Sequence, residues 1–486
     1  MVEDSLKNKT VKGASWSFID GIVGQGITFF VGLILARLLS PEEYGLIGII
    51  TIFIAVFNSM VDSGFSNALI RKKDVKDIDY DTVFIFNLVL SVVLFCLLFL
   101  SAPVISDFFN QPKLIPLLRV MGSIVIINAF AIVQRTILVK KVDFKTQTKV
   151  SLISSISSGF IGVGMAIAGL GVWSLVGQQI SRQFLNSAFL WIFSKWYPKI
   201  QFSFQSFKEL FSFGWKLLVS GLIDTTWQEI YQVIIGKCYS PIILGQYTRA
   251  QQFATICSSN LTSVVKRVSY PILSSVQDDK IRLKNGYRKI IKVTMLITFT
   301  LMLGLASVAE SLILSLVGEQ WLPCVPFLQL ICFQMMLYPL HSLNLNMLQV
   351  QGRSDLFLKL EIIKKIIAIG PLLFGIFVNI YWMLGGSVIT GFISYYLNAY
   401  YSGPFLNYSI KEQIRDILPS FVIAVVMSVP VFAMSFISLN CFILLVLQVF
   451  VGAIIIIGIC EVIKLPEYIE IKGIIISVIN KILKHK

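Results

Sequence analysis

The stretch LARLLSPEEYGLIG, residues 35–48, ends one long apolar run and starts another. Arg37 stands near the end of the first run. Ser40, Pro41, Glu42 and Glu43 then interrupt it, and apolar residues resume at Tyr44. A proline at the first position of a helix costs little, because its missing N–H would have no partner there, and the preceding serine is suited to cap the helix. The two glutamates can pair with Arg37 or cap the start of the second helix, where the helix dipole favours negative charge. The stretch therefore reads as a helix end followed at once by a helix start.

Similar apolar runs fill the chain. Of 486 residues, 56% are hydrophobic and only 14% are charged, and the mean hydropathy is +0.80. A water-soluble domain cannot cover that much apolar surface, so lipid must be the solvent for most of it. A run of about 20 residues is long enough to cross a hydrocarbon core of roughly 30 Å. Fourteen such runs are expected, at about 16–38, 44–70, 82–106, 114–139, 147–169, 172–194, 210–236, 243–270, 293–317, 324–350, 362–380, 383–406, 417–437 and 441–463. The fold class is an all-α integral membrane protein with fourteen transmembrane helices. The first run has no small-residue cleavage site after it and reads as a retained span.

The distribution of Lys and Arg orients these runs. Counted loop by loop, 33 of the 41 lie on the side of the N-terminus, and only Arg37, Lys113 and Lys237 lie in loops on the other side. Arg119, Arg135, Arg182, Lys216 and Arg249 fall inside runs. Basic residues collect in cytoplasmic loops. Both termini are therefore expected in the cytoplasm, and the net charge of +15 needs no nucleic acid to explain it. The outward loops are short and leave no room for an enzymatic domain.

Ser40-Pro41-Glu42-Glu43-Tyr44-Gly45 has a counterpart 200 residues later in Ser240-Pro241-Ile242-Ile243-Leu244-Gly245, at the same point six runs on. Two pseudo-symmetric six-helix lobes follow, over residues 1–200 and 201–408, with an added helix pair at 409–465 and an amphipathic cytoplasmic tail at 466–486. Parallel repeats of this kind are common in secondary transporters, which place the substrate between the halves. In the tail, Ser477, Asn480, Lys481 and Lys484 share one face, which suits a helix lying on the membrane.

Polar residues interrupt the apolar runs in stripes. In run 7, Lys216, Ser220, Asp224, Gln228 and Gln232 recur every fourth residue, with Glu229 nearby. Run 8 carries Gln246, Arg249, Gln252, Thr255 and Ser259. Run 10 carries Gln334, Tyr338, His341 and Asn344, run 1 carries Asp20, and run 2 carries Asn58, Asp62 and Ser66. A charge at the centre of a span costs about 2.5–3.5 kcal/mol on insertion scales, so each needs a partner or water. The stripes are expected to line a hydrated cleft between the lobes. The competing reading is structural: Asp20, Lys216, Arg119 and Arg135 can snorkel to an interface, Asp224 and Arg249 can pair within a lobe, and His341 can be a hydrogen-bonded core histidine. With His485 as the only other histidine, no zinc site is expected. No phosphate-binding G-x-x-x-x-G-K-[ST] loop occurs, and no nucleophile stands at credible spacing from a base.

LARLLSPEEYGLIG, GFSNALIRKKD (64–74), LLRVMGSIVIINAFAIVQRTILVKKVDFKTQTK (117–149), LGQYTRAQQF (244–253), SYPILSSVQDD (269–279) and QGRSDLFLKLEIIKK (351–365) resemble Wzx-type polysaccharide transporters. These are lipid-linked oligosaccharide flippases of the MATE-like MOP superfamily, and the closest resemblance is to the colanic acid exporter type. The resemblance covers roughly residues 10–410. It implies a bacterial inner-membrane flippase, not an enzyme, that carries undecaprenyl-pyrophosphate-linked oligosaccharide to the outer leaflet by alternating access, for O-antigen, capsule or exopolysaccharide. Proteins of polysaccharide assembly are candidate partners. The substrate contacts it implies are Arg249 and Lys216, then Arg37 and Arg119, with Gln228, Gln252, His341 and Asn344 completing the polar lining. Asp224, Glu229, Asp62 and Asp20 are candidates for coupling to Na⁺ or H⁺, and no cofactor is expected. A cation-coupled MATE-type drug exporter is the alternative; the same carboxylates allow it, whereas Lys216 and Arg249 oppose it. A membrane enzyme of polysaccharide assembly is the third reading.

Overall fold

The structure is a computed structural model, and residues 23–62, 64–276, 279–473 and 476 are described. Asp20 and the tail residues Ser477, Asn480, Lys481 and Lys484 lie outside the described residues. Among the described residues there is no strand, and nine helices are long and apolar enough to cross a bilayer. The chain divides into two compact units, Met1–Thr248 and Arg249–Lys486.

The first unit contains α1 (Gln25–Leu38), α2 (Pro41–Asp62), α3 (Phe65–Arg71), α4 (Asp77–Phe109), α5 (Leu114–Met121), α6 (Ser123–Lys140), α7 (Phe144–Ile167), α8 (Val172–Ser194) and α9 (Phe204–Cys238). The first turns of α10 (Pro241–Ser275) also belong to it. α7 packs on α1 and α8, α6 on α4 and α8, and α9 on α2. Phe65, Leu69, Val83, Phe84, Val133, Ile137 and Leu210 form one core cluster. The apolar run expected at 44–70 is not one continuous helix. Gly64 takes φ +69° between α2 and α3, a left-handed backbone that glycine adopts without penalty. A Cβ on Gly64 would stand 2.6 Å from the carbonyl oxygen of Gly214, so α9 passes close at this break.

The basic, aromatic linker between α8 and α9 is pinned to the start of α4. The Lys199 amide donates to Asp81 (3.0 Å), the Ser203 amide donates to Thr82 (3.0 Å), and the Lys199 ammonium pairs with Asp77 (3.3 Å). Trp196 packs edge-on against Tyr80 and Phe84. Nearby, burial would lower the pKa of the Lys72 ammonium, but Glu209 (3.0 Å) and Asp79 (3.1 Å) outweigh it and hold the group above its ordinary value.

The second unit contains the rest of α10, α11 (Lys280–Ser307), α12 (Ala309–Leu316), α13 (Cys324–Met335), α14 (Tyr338–Val350), α15 (Ser354–Phe377), α16 (Ile380–Leu406), α17 (Ile410–Ala433) and α18 (Cys441–Ile463). α11 packs on α17, α16 on α13 and α15, and α12 on α18. Leu296, Ile423, Cys460 and Leu465 close one end of this core. Both later runs with an internal break, 293–317 and 324–350, kink at short non-helical joints around Val308 and around Met336–Leu337.

Candidate functional site

The Ser-Pro-x-x-x-Gly repeat caps two helices and then locks them together. Ser40 and Glu43 form a reciprocal cap at the start of α2: Glu43 accepts from the Ser40 amide (2.7 Å) and hydroxyl (3.0 Å), and the Glu43 amide donates back to the Ser40 oxygen (3.4 Å). Glu42 pairs with Lys113 at 3.0 Å. At the second copy the Ser240 oxygen accepts from the Ile243 amide at 3.3 Å. The two glycines explain the last position of the motif. A Cβ on Gly45 would lie 1.8 Å from the Pro241 carbonyl oxygen, and one on Gly245 would lie 1.9 Å from that of Pro41. Each repeat's glycine is thus a seat for the other repeat's proline backbone. No side chain larger than hydrogen fits while the two helix starts touch.

The polar ridge of α9 runs below this crossing. Lys216, Ser220, Asp224 and Gln228 are exposed, and Glu229 is half-buried and accepts a hydrogen bond from the Gln232 side-chain Nε2 at 2.6 Å. From residue 216 to residue 232 the ridge rises about 24 Å at 1.5 Å per residue. That is most of a hydrocarbon core of roughly 30 Å, so the ridge is too long to be an interfacial fringe. Charges at this depth need a partner or water.

On the neighbouring helices of the same unit, Asp62 is exposed and bonds Ser66. Arg135 is also exposed. A relay runs from Gln183 to Asn128 (2.9 Å) to Asn58 (3.0 Å), linking α8, α6 and α2. Asn128 stands alone in an apolar stretch and Gln183 lies among other polar residues of its run, and their pairing across three helices is not legible from periodicity within one helix. Arg37 is exposed at the end of α1. The Arg119 guanidinium lies 4.5 Å over the Phe99 ring.

In the second unit, Arg249 is 2% exposed. It donates to the Gln252 side-chain oxygen (2.8 Å) and lies 5.2 Å over the buried Trp321 ring. Asn344 is fully buried: its oxygen accepts from Tyr287 and Ser402, both at 2.8 Å, and its nitrogen donates to the Leu340 carbonyl at 3.1 Å. His341 is paired with Asn398 at 3.3 Å. The structure therefore groups Lys216, Asp224, Gln228 and Glu229 on one helix of the first unit, with Arg249 and Gln252 together and His341 and Asn344 together in the second. Among the described residues no group of His, Cys, Asp and Glu is arranged to hold a metal ion.

Comparison with known proteins follows the same lines. Teichuronic acid biosynthesis protein TuaB of Bacillus subtilis is 27% identical over 355 residues, 72% of this chain and 73% of the relative. Lipopolysaccharide biosynthesis protein WzxC of Escherichia coli is 25% identical, covering 76% of each chain. Succinoglycan biosynthesis transport protein ExoT of Rhizobium meliloti is 25% identical, covering 76% of this chain and 75% of its own. Among solved structures, the lipid II flippase MurJ in an inward closed conformation matches with a TM-score of 0.75 at 14% identity, covering 93% of this chain and 98% of that one. An inward-facing multidrug resistance MATE transporter of the MOP superfamily matches with 0.63 at 16%, covering 79% and 94%. These two likenesses show the fold. Residues 34–326, more than half the chain and including both copies of the interlocking repeat, match a family of polysaccharide biosynthesis proteins, and the chain belongs to that family.

Proposed function

We propose that this multi-pass membrane protein is a flippase for lipid-linked oligosaccharide. It carries undecaprenyl-pyrophosphate-linked repeat units from the cytoplasmic to the outer leaflet of the bacterial inner membrane by alternating access. The carrying observation is the exposed ridge of α9, which offers charge and amide groups through most of the bilayer's depth. A sugar head with its diphosphate cannot cross hydrocarbon unaided, because each hydroxyl and charge would lose its hydrogen bonds to water. The ridge supplies replacements while the polyprenyl chain stays in lipid. The transport and biosynthesis names of the relatives, and the MurJ-like fold, support the same reading.

Fourteen spans with both termini cytoplasmic, two six-helix lobes and a C-terminal pair remain our reading of the topology. Among the described residues, nine helices are long and apolar enough to span. The other five are assigned to α1, which is short, to α9 and α10, which carry polar stripes, and to α8 and α15. The 33-to-3 division of basic residues supports this count.

Lys216 and Gln228 are the contacts we assign to the head group in the arrangement seen here, with Arg37 and Arg119 toward the outer end. Arg249 and Gln252, held against Trp321, are assigned to the second arrangement of the cycle. Asn344 and His341 act by shaping the second unit. Asp224 and Glu229 couple the cycle to Na⁺ or H⁺, with Asp62 in support.

Depleting the protein tests the reading directly. Full-length lipid-linked repeat units are expected to accumulate on the cytoplasmic leaflet, where glycan-modifying reagents reach them only after the membrane is opened. Accumulation of exported single units would point to a polymerase, and a change in drug sensitivity alone would point to an exporter. In the same assay, Asp224→Asn combined with Glu229→Gln is expected to slow export at least tenfold and to abolish its dependence on the ion gradient. Unchanged gradient dependence would remove both carboxylates from the coupling scheme.

A further inference from the structure

The linker between α8 and α9 is fixed on one side and bare on the other. Its Lys199 and Ser203 amides are held by Asp81 and Thr82 at the start of α4, and Trp196 packs on Tyr80 and Phe84. Ile200, Phe202 and Phe204 are left 81%, 49% and 71% exposed. The Ile200 backbone is left-handed, at φ +54°, a conformation that sterics oppose for a β-branched side chain. Strain of this kind persists only where the surroundings over-determine it. The pinned backbone thus holds an isoleucine outward in a strained conformation.

What covers this face follows from its neighbours in the chain. Ile192 and Phe193 at the end of α8, and Phe211 and Trp215 early in α9, are exposed as well. Exposed apolar side chains therefore continue from one helix through the linker into the next, and contiguous ones mark an interaction surface. Both helices are assigned to spans, so the cover that continues over the linker is lipid. Depth is bounded from the other direction. Irregular backbone does not enter hydrocarbon, and Lys195, Lys199, Gln201 and Lys208 are exposed beside the apolar side chains, so the linker backbone stays among the headgroups. The carboxylates nearby are engaged: Asp81 accepts from the Lys199 amide, Asp77 pairs with the Lys199 ammonium, and Asp79 and Glu209 pair with Lys72.

We propose that residues 197–204 form a strap seated in the surface of the phospholipid bilayer, with Ile200, Phe202 and Phe204 below the phosphates and the neighbouring lysines level with them. A non-helical segment with aromatic and aliphatic side chains on one level and lysines on the next suits that boundary, as an amphipathic helix does. Because the strap is tied to the start of α4 and runs directly into α9, its seat fixes the depth at which both helices begin. The proposal rests on α8 and α9 being spans, and does not depend on the identity of the cargo.

The test uses the purified full-length chain, its own cysteines replaced, in vesicles of phosphatidylethanolamine and phosphatidylglycerol. Single cysteines at Ile200, Phe202 and Phe204, all exposed positions, carry a nitroxide whose collisions with dissolved oxygen and with a water-soluble nickel chelate measure depth. Two further positions calibrate the reading. Phe184, exposed midway along α8, reports whether that helix spans. Gln205, which shares an exposed polar face of α9 with Glu209 and Ser212, reports the water side. The three strap labels are expected about 5–10 Å below the phosphates, with Phe184 deeper and Gln205 in water. Nickel access at any of the three equal to that at Gln205, while Phe184 is deep, overturns the proposal alone. Nickel access at Phe184 overturns it together with the assignment of α8 as a span.

Discussion

Gly245→Ala is expected to reduce export by one to two orders of magnitude while leaving the protein folded in the membrane. The added methyl would stand 1.9 Å from the Pro41 carbonyl oxygen, a separation that side-chain carbons do not adopt, so the starts of α2 and α10 must part by at least about an ångström. The obstacle is backbone, which cannot rotate out of the way as a side chain can. Overpacking of this kind costs about 1–3 kcal/mol, which corresponds to a shift of about 5–150-fold in a two-state equilibrium. A transporter that alternates between arrangements with this crossing closed and open would be held in the open one. Gly45→Ala meets the Pro241 carbonyl at 1.8 Å and should act alike. Because the two sites share one contact, the double variant should cost less than the sum of the singles. Export rates of the three variants, with thiol labelling at an engineered Ser40→Cys as a report on opening, check this. Wild-type rates in Gly245→Ala would show that the crossing never closes during the cycle.

Asn344→Ala should have the largest effect on stability. Its side-chain oxygen accepts from Tyr287 and Ser402 at 2.8 Å each, with Gln413 at 3.5 Å, all within the buried interior of the second unit. Removing the acceptor leaves at least two buried hydroxyls without a partner, at about 1–3 kcal/mol apiece, and adds a small cavity. A loss of about 2–5 kcal/mol is expected, read as a fall in the thermal unfolding midpoint of the detergent-solubilised protein. Asn344→Asp keeps the acceptor and should lose less if the carboxyl stays protonated at low pH. Asn128→Ala, in the half-buried relay of the first unit, is a control that should cost clearly less.

How much of this was readable beforehand differs from residue to residue. The caps at Ser40 and Ser240 follow from local chemistry, since a serine before a proline at a helix start meets its partner three residues away. The interlock of Gly45 and Gly245 could not be read, although the repeat was visible, because it joins positions 200 residues apart. Glu42 and Glu43 are expected to pair with Arg37 or to cap the second helix; Glu43 does cap it, turning back to Ser40, whereas Glu42 reaches Lys113 in the turn before α5. The break at Gly64 was hidden because apolar residues continue through it, and hydropathy carries no information on backbone angle. The ridge of α9 was legible because a period of four is a property of one helix. The stripe on α14 places Asn344 in a polar lining, but whether such a residue faces water or a buried tyrosine depends on α11 and α16, which no stripe on α14 reveals. Arg249 shows the same limit, since its cover by Trp321 comes from a distant turn.

The central claim is that water and a hydrophilic passenger reach the α9 ridge through the depth of the membrane. Single cysteines at Ser220, Asp224 and Gln228, in a chain whose own cysteines are replaced, measure this with a membrane-impermeant thiol reagent applied to cells and to inverted vesicles. The account predicts labelling at all three positions from at least one side, with protection when lipid-linked oligosaccharide accumulates. Silence at all three from both sides would place the ridge against lipid or protein and contradict the account.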